Sequence, residues 1–187
     1  MNPFAEVIYI LVDLYISIIL IRFFLQYYRA DFNNPLSQFV VRATDPLVKP
    51  LRKIVPGLGG IDLSTLVLAY LLIIAKLLFL TIISSQAEIN ILLVLLISIT
   101  SLCQTILLLF MYLIFIRIVI SWVSPGSYSP VIQAIAQITQ PIINKCRPLT
   151  PKTEGFDLSM FVTLVILFLA HQSISYWIIP IIGNIAI

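Results

Sequence analysis

The sequence predicts an all-α integral membrane protein with four transmembrane helices, arranged as two parallel-related helical hairpins. Hydrophobic residues fill 60% of the 187 positions and charged residues only 10%, for a mean hydropathy of +1.09. Long apolar runs approach or exceed the roughly 20 residues that cross a bilayer. The chain also matches itself at a fixed offset, which divides it into two similar halves.

The composition excludes several other classes of protein. A soluble domain carries about a quarter charged residues. The 11 basic and 8 acidic residues give a net charge of +3 and are scattered along the chain. This is too little positive charge for a surface that follows a nucleic-acid backbone, so we expect no nucleic-acid partner.

The four predicted spans have approximate bounds of residues 4–28, 61–83, 98–123 and 157–179. The third apolar run begins at residue 89, which makes it too long for one upright crossing and too short for two with a turn. We therefore expect residues 89–97 to be an apolar lead-in that lies at the membrane surface.

Basic residues predict the orientation of these spans. Five lie between the first and second spans and three between the third and fourth: Arg29, Arg42, Lys49, Arg52, Lys53, Lys145, Arg147 and Lys152. The connector around residues 84–90 and both chain ends have none. The positive-inside rule then places both basic loops in the cytoplasm and both termini outside.

The internal repeat has an offset of 95 residues and needs no gap. Arg22 matches Arg117, Thr44-x-Pro46 matches Thr139-x-Pro141, and Gly60-x-Asp62 matches Gly155-x-Asp157. The halves are residues 1–95 and 96–187. An even number of spans in each half gives both the same orientation and predicts a pseudo-two-fold axis along the membrane normal.

The basic loops are predicted to contain amphipathic cytoplasmic helices. Apolar residues recur at helical spacing from Pro35, and Asp45 before Pro46 resembles the N-cap of a second short helix that runs towards Val55 and is kinked at Pro50. We expect these helices to lie in the interface, although a re-entrant hairpin is an alternative. The cations expected to contact anionic headgroups or a partner are Arg42, Lys49, Arg52, Lys53, Lys145 and Arg147.

The segment NPLSQFVVRATDPLVKPLRKIVP (residues 34–56), followed by G-x-D-x-S, resembles the YggT family of bacterial membrane proteins, which has relatives in chloroplasts. The resemblance covers nearly the whole chain, including the duplication. The second half departs from the pattern where Asp45 becomes Gln140 and Lys49 becomes Asn144. The resemblance implies an inner-membrane protein linked to osmotic-stress tolerance, with assembly or division roles suggested for relatives.

Ionisable groups inside the spans are candidate functional residues, because they are costly in hydrocarbon. Glu6, Tyr9 and Asp13 lie on one face of the first span. Asp13 and Lys76 are both about 12–14 Å below the outer surface, and we predict that they pair. The pair either fixes the register of the two helices or takes part in ion or proton handling.

In the second half, His171 takes the place of Lys76 and Leu108 that of Asp13. His171 is expected to bond to Gln104, or to reach Asp13 across the pseudo-axis. A hydrogen-bonded packing residue is the alternative to a proton relay.

Arg22 and Arg117 lie inside the cytoplasmic ends of their spans, and Asp62 and Asp157 begin the spans that follow. One interpretation is that the arginines extend to the interface while the aspartates cap helices. The sharper hypothesis pairs each arginine with the aspartate of its own half.

We find no catalytic signature, and no catalytic, metal-binding or cofactor-binding residue is predicted. The expected function is that of a non-enzymatic inner-membrane protein, which supports osmotic-stress tolerance or envelope homeostasis through membrane proteins, a second copy or the lipids of the anionic inner leaflet. The alternative is a small oligomeric ion channel or transporter that uses the region of Asp13 and Lys76.

Overall fold

The computed structural model of the chain describes residues 3–57, 59–83, 90–124, 126, 129–150 and 158–185. The helices, in chain order, are α1 (Pro3–Tyr27), α2 (Pro35–Arg52), α3 (Leu63–Ile83), α4 (Ile91–Val123), α5 (Pro130–Cys146), α6 (Leu158–Ser173) and α7 (Ile179–Ile185). A 3₁₀ turn, Arg147–Leu149, follows α5, and a π-helical turn, Ile174–Ile178, joins α6 to α7.

Four of these helical segments are long and apolar enough to cross a membrane. They are Phe4–Tyr27, Leu63–Ile82, Ile91–Val123 and Leu158–Ile182. The all-α class with four spans is therefore confirmed, and the first, second and fourth spans lie within a few residues of their predicted bounds.

The predicted third span, residues 98–123, is part of one longer helix. Residues 91–97 form the first two turns of α4, with the Asn90 side chain accepting from the Leu93 N–H at 3.2 Å. No proline or glycine interrupts the run, so nothing ends the helix before Val123. Tyr70 donates to the Leu95 carbonyl at 3.2 Å, which places these turns against α3. At about 1.5 Å per residue α4 exceeds the ~30 Å hydrocarbon core, so it tilts or extends beyond it.

The two predicted helices of the first basic loop are one continuous helix, α2. Asn34 caps it by accepting from the Leu36 N–H at 2.9 Å, and Asp45 is not an N-cap but an interior residue. Pro46 and Pro50 lie inside the helix and are exposed. Proline removes the N–H that would bond the carbonyl four residues earlier. Here those carbonyls belong to Arg42 and Pro46, which are also exposed, and this makes the interruption tolerable.

The two halves have the same internal packing. In the first, α1 packs on α3 and α2 packs on both; in the second, α4, α5 and α6 repeat this arrangement. The contacts between the halves are one-sided. Within the described residues α3 contacts α4, whereas α6, the repeat counterpart of α3, does not contact α1. The symmetry therefore extends to each hairpin but not to the way in which the hairpins meet.

Candidate functional site

A charge pair joins α1 and α3 inside the membrane-spanning region. The Lys76 Nζ contacts the Asp13 carboxylate, so the two residues meet as the sequence predicts. Tyr9 donates to the Lys76 carbonyl at 3.3 Å, and its ring centroid lies 5.8 Å from the Nζ. The Lys76 side chain is 16% exposed and that of Asp13 is 47% exposed. The cation is thus enclosed, while the carboxylate is half open to the surroundings.

Asp13 opens onto a groove of about 640 Å³ between α1 and α4, with Lys76 of α3 at its side. The polar residues that line it are Asp13, Ser17, Lys76, Ser101, Gln104, Thr105 and Tyr112. A surface that faces lipid is normally apolar, because hydrocarbon offers no hydrogen bonds to polar groups. This concentration of polar side chains marks the groove as the candidate site.

His171 does not make the contacts considered for it. The Gln104 amide donates to Ser175 Oγ at 2.7 Å, and Ser175 Oγ donates to the His171 carbonyl at 3.3 Å. Ser175 belongs to the π-helical turn and occupies the position expected for the imidazole. In the described part of the chain, the His171 ring makes no hydrogen bond and Glu6 makes no ion pair.

Arg22 does not pair with Asp62; this prediction is wrong. Its guanidinium donates to Thr44 Oγ1 at 2.7 Å and to Asp45 Oδ1 at 2.9 Å, and only 6% of the side chain is exposed. Lys49 reaches the other oxygen of Asp45 at 2.8 Å. Because α2 does not break at Pro46, Asp45 faces α1 and is the partner of Arg22 in place of Asp62. This network attaches α2 to α1.

Asp62 pairs with Arg52 instead. The Asp62 carboxylate is almost fully buried and accepts from Arg52 through Oδ2, while its Oδ1 has no hydrogen-bond partner among the described residues. The carboxylate therefore ties the end of α2 to the start of α3 rather than capping a helix. Its counterpart Asp157 lies outside the described residues.

The second half repeats the arginine network with Gln140 in the position of Asp45. Arg117 donates to Thr139 Oγ1 at 2.7 Å and to Gln140 Oε1 at 3.0 Å. The Gln140 amide donates to Asn144 Oδ1 at 2.9 Å, where the first half has the pair of Asp45 and Lys49.

The hydrogen bond from Lys49 lowers the pKa of the Asp45 carboxyl. Burial opposes this effect, and the hydrogen bond and charge of Arg22 reinforce the lowering. Asp45 is therefore held as a carboxylate, which both cations require.

The six cations expected to contact headgroups are all exposed. They lie on α2 and α5 or just after them, at the end of the molecule that the positive-inside rule places in the cytoplasm: Arg42, Lys49, Arg52, Lys53, Lys145 and Arg147. Within the described ranges, no group of three or more His, Cys, Asp or Glu side chains is arranged to hold a metal ion.

Sequence reasoning missed several residues of these sites. Thr44 and Thr139 were visible only as repeat matches, although each accepts from an arginine of the preceding span. Ser101 and Thr105 line the groove with Gln104, and their spacing of three and one places them near each other on α4. A search for polar residues at helical spacing within the longest apolar run would have found them.

Comparison with known proteins gives one family and several bacterial relatives. The CCB3/YggT family matches residues 1–83 and 96–178. The Pseudomonas aeruginosa protein PA0392 is 45% identical over 79% of this chain and 75% of its own length. A Vibrio alginolyticus protein from the proC 3′ region is 38% identical over 99% and 98%. YggT of Escherichia coli K12 is 31% identical over 94% and 90%. No solved structure gives a significant match.

Proposed function

This chain belongs to the CCB3/YggT family, and we propose that it is a non-enzymatic protein of the bacterial inner membrane. It supports osmotic-stress tolerance or envelope homeostasis by binding other membrane proteins or lipids. The observation that carries this proposal is the polar groove between α1 and α4, where the Asp13 side chain is 47% exposed. A half-exposed carboxylate at membrane depth is costly, and a partner with hydrogen-bond donors relieves that cost.

The exposed cations of α2 and α5 support the same function from the other end of the molecule. The cytoplasmic leaflet is negatively charged, and each nearby Lys or Arg contributes about 1 kcal/mol of attraction. Buried side chains on the opposite face of α2 hold the helix against the bundle: Ser37, Val40, Thr44 and Val48. The protein is thus anchored to anionic lipid at one surface while its groove faces laterally within the bilayer.

Complementation of a strain that lacks the gene tests this proposal. We compare growth at raised osmolarity with the wild-type chain and with Asp13→Leu/Lys76→Met, which removes the pair without leaving a lone charge. We expect the wild-type chain to restore growth and the double variant to fail at equal membrane abundance. The control is Glu6→Gln, an exposed carboxylate on the same helix. Full growth of the strain without the gene, or full rescue by the double variant, contradicts the proposal.

The second candidate function, an oligomeric ion channel or transporter, is favoured by the volume and polar lining of the groove. Four spans with so few polar residues make a poor pathway alone, so several copies would have to surround a conduit. Liposomes that contain only the purified protein test it. Ion flux that disappears in Asp13→Leu/Lys76→Met favours a conduit, and the absence of flux favours the binding function.

A further inference from the structure

The duplication leaves one helix contact unmade. In the first half, α3 lies between α1 and α4 and contacts both. Its repeat counterpart α6 contacts α4, but in the described part of the chain it makes no contact with α1. By the repeat, the contact between α3 and α4 corresponds to a contact between α6 and α1. Because α6 and α1 do not meet over the described residues, each of them exposes a surface that is covered on its repeat counterpart, α3 or α4.

The exposure of individual side chains differs between α3 and an exposed stripe on α6. On α3, Leu66, Tyr70, Ile73 and Leu77 are half-buried or buried, and Ile73 is fully buried. Their counterparts on α6 are Phe161, Val165, Phe168 and Gln172, all exposed. Phe168, which matches Ile73, is 46% exposed. These four residues are spaced four, three and four, and so form one helix face.

The matching surface of α1 is also open. Leu109 on α4 is 5% exposed, whereas its counterpart Leu14 on α1 is 57% exposed. Leu14 and Ile10, which is 66% exposed, line the groove beside Asp13.

The polar groups of the two surfaces are complementary and lie at similar depths. Lys76 and His171 each lie 13 residues after the first residue of their helices, and Gln172 follows His171 directly. Gln172 is exposed, and its amide has no hydrogen-bond partner among the described residues. An exposed amide and a half-exposed carboxylate inside a membrane are each costly, and an amide N–H bonded to a carboxylate oxygen satisfies both.

We propose that α6 of a second copy packs along α1 in the groove, with its Gln172 amide donating to Asp13. Two copies make this contact reciprocally in a two-fold dimer, so the assembly closes. The inference rests on the proposed function, because it names the partner that binds the groove.

Disulfide cross-linking in native membranes tests the dimer. Both native cysteines, Cys103 and Cys146, are first replaced by alanine. Two copies with different tags are then co-expressed, one with Ser17→Cys and the other with Phe168→Cys. Ser17 lines the groove one turn from Asp13, as Phe168 lies one turn from Gln172, so the antiparallel contact places these two positions at the same level. We expect an oxidant to join the two tags. The control pairs Ser17→Cys with Leu71→Cys, which is 47% exposed on α3 and off the stripe. No cross-link at Phe168→Cys, or an equal one at Leu71→Cys, overturns the proposal.

The polar contact has its own test in the same cross-linking experiment. Gln172→Leu should lower the cross-linked fraction about threefold, the effect of an average interhelical hydrogen bond in a membrane. Ser173→Ala is the matched control and should leave the fraction unchanged, because Ser173 Oγ bonds within its own helix to the Leu169 carbonyl. An unchanged fraction in Gln172→Leu overturns the contact with Asp13.

A photo-activated cross-linker at Leu14 separates this inference from the proposed function. Capture of a second copy supports the dimer. Capture of lipid or of a different membrane protein overturns the dimer but leaves the binding function of the groove intact. Capture of nothing, together with full rescue by Asp13→Leu/Lys76→Met, overturns both.

Discussion

Arg22 and Arg117 illustrate how single residues fix a cytoplasmic helix to its span. Each guanidinium donates to a threonine hydroxyl and to the side chain that follows it, Asp45 in one half and Gln140 in the other. A guanidinium offers five donors in a planar fork, which suits two acceptors on adjacent residues. The acceptor occupies the same position in both halves, although its charge differs.

A double-mutant cycle should locate the partner of Arg22. We expect Arg22→Met and Asp45→Asn to show a coupling of about 1–2 kcal/mol in the free energy of unfolding, because the residues share one network. Arg22→Met and Asp62→Asn should be additive within about 0.5 kcal/mol, because Asp62 pairs with Arg52. Unfolding in detergent gives both values, and coupling with Asp62 in place of Asp45 would contradict the observed network.

Replacing the network of the first half by that of the second should alter the pH dependence of stability. The lowered pKa of Asp45 means that its carboxylate stabilises the fold above about pH 4, and that this contribution is lost as the pH falls through the folded-state pKa. Asp45→Gln/Lys49→Asn has no such group. We therefore expect the melting temperatures of wild type and variant to converge between about pH 5 and pH 2. A constant difference across that range would show that Asp45 does not contribute in this way.

At the scale of elements, α2 and α4 are both longer than the sequence predicts, for different reasons. In α2, prolines that usually end a helix are accommodated because they and the carbonyls they leave free lie on the exposed face. In α4, no proline or glycine interrupts the apolar run, so the helix includes residues 91–97 and packs against α3 there. Only in α2 does packing on one face override the local signal.

Pro46→Ala tests the account of α2. Alanine restores the missing N–H and removes the clash with the preceding turn, so we expect stability to increase, by at most about 3 kcal/mol. Pro35→Ala is the control: Pro35 is the first residue of α2, where proline is favourable, so this change should not stabilise. Thermal unfolding in detergent measures both, and destabilisation by Pro46→Ala would mean that the helix requires its proline.

At the scale of the whole molecule, the exposed cations and the groove lie towards opposite ends. The exposed cations of α2 and α5 lie at one end, and the groove opens between α1 and α4 nearer the other. The orientation in the membrane therefore decides which leaflet meets the cations.

Cysteine labelling should reveal that orientation. Cys146, at the end of α5, is partly exposed and lies in a predicted cytoplasmic loop. We expect a membrane-impermeant maleimide to label Cys146 in inverted vesicles but not in intact spheroplasts, and a Glu88→Cys variant lacking both native cysteines to show the reverse. Labelling of Cys146 from outside would invert the predicted topology.

Much of the architecture follows from local properties of the sequence. The number of spans, the repeat and the contact between Asp13 and Lys76 could be predicted, because hydropathy sets span length and residue counts set depth. The partners of Arg22 and Asp62 could not be predicted. Which carboxylate lies at the depth of Arg22 depends on whether α2 continues past Pro46. That outcome depends on the burial of α2's opposite face, which a one-dimensional pattern does not contain.

The sequence by itself determined that this protein is a duplicated, four-span membrane protein with basic loops at one end, since apolar run length and charge position are local quantities. Only the tertiary structure decided that α3 contacts α4 while, over the described ranges, α6 does not contact α1, and that a groove lined by polar side chains opens at Asp13. These features depend on the rotation and crossing of helices. Many similar apolar side chains set that geometry together, and no single position in the sequence identifies it.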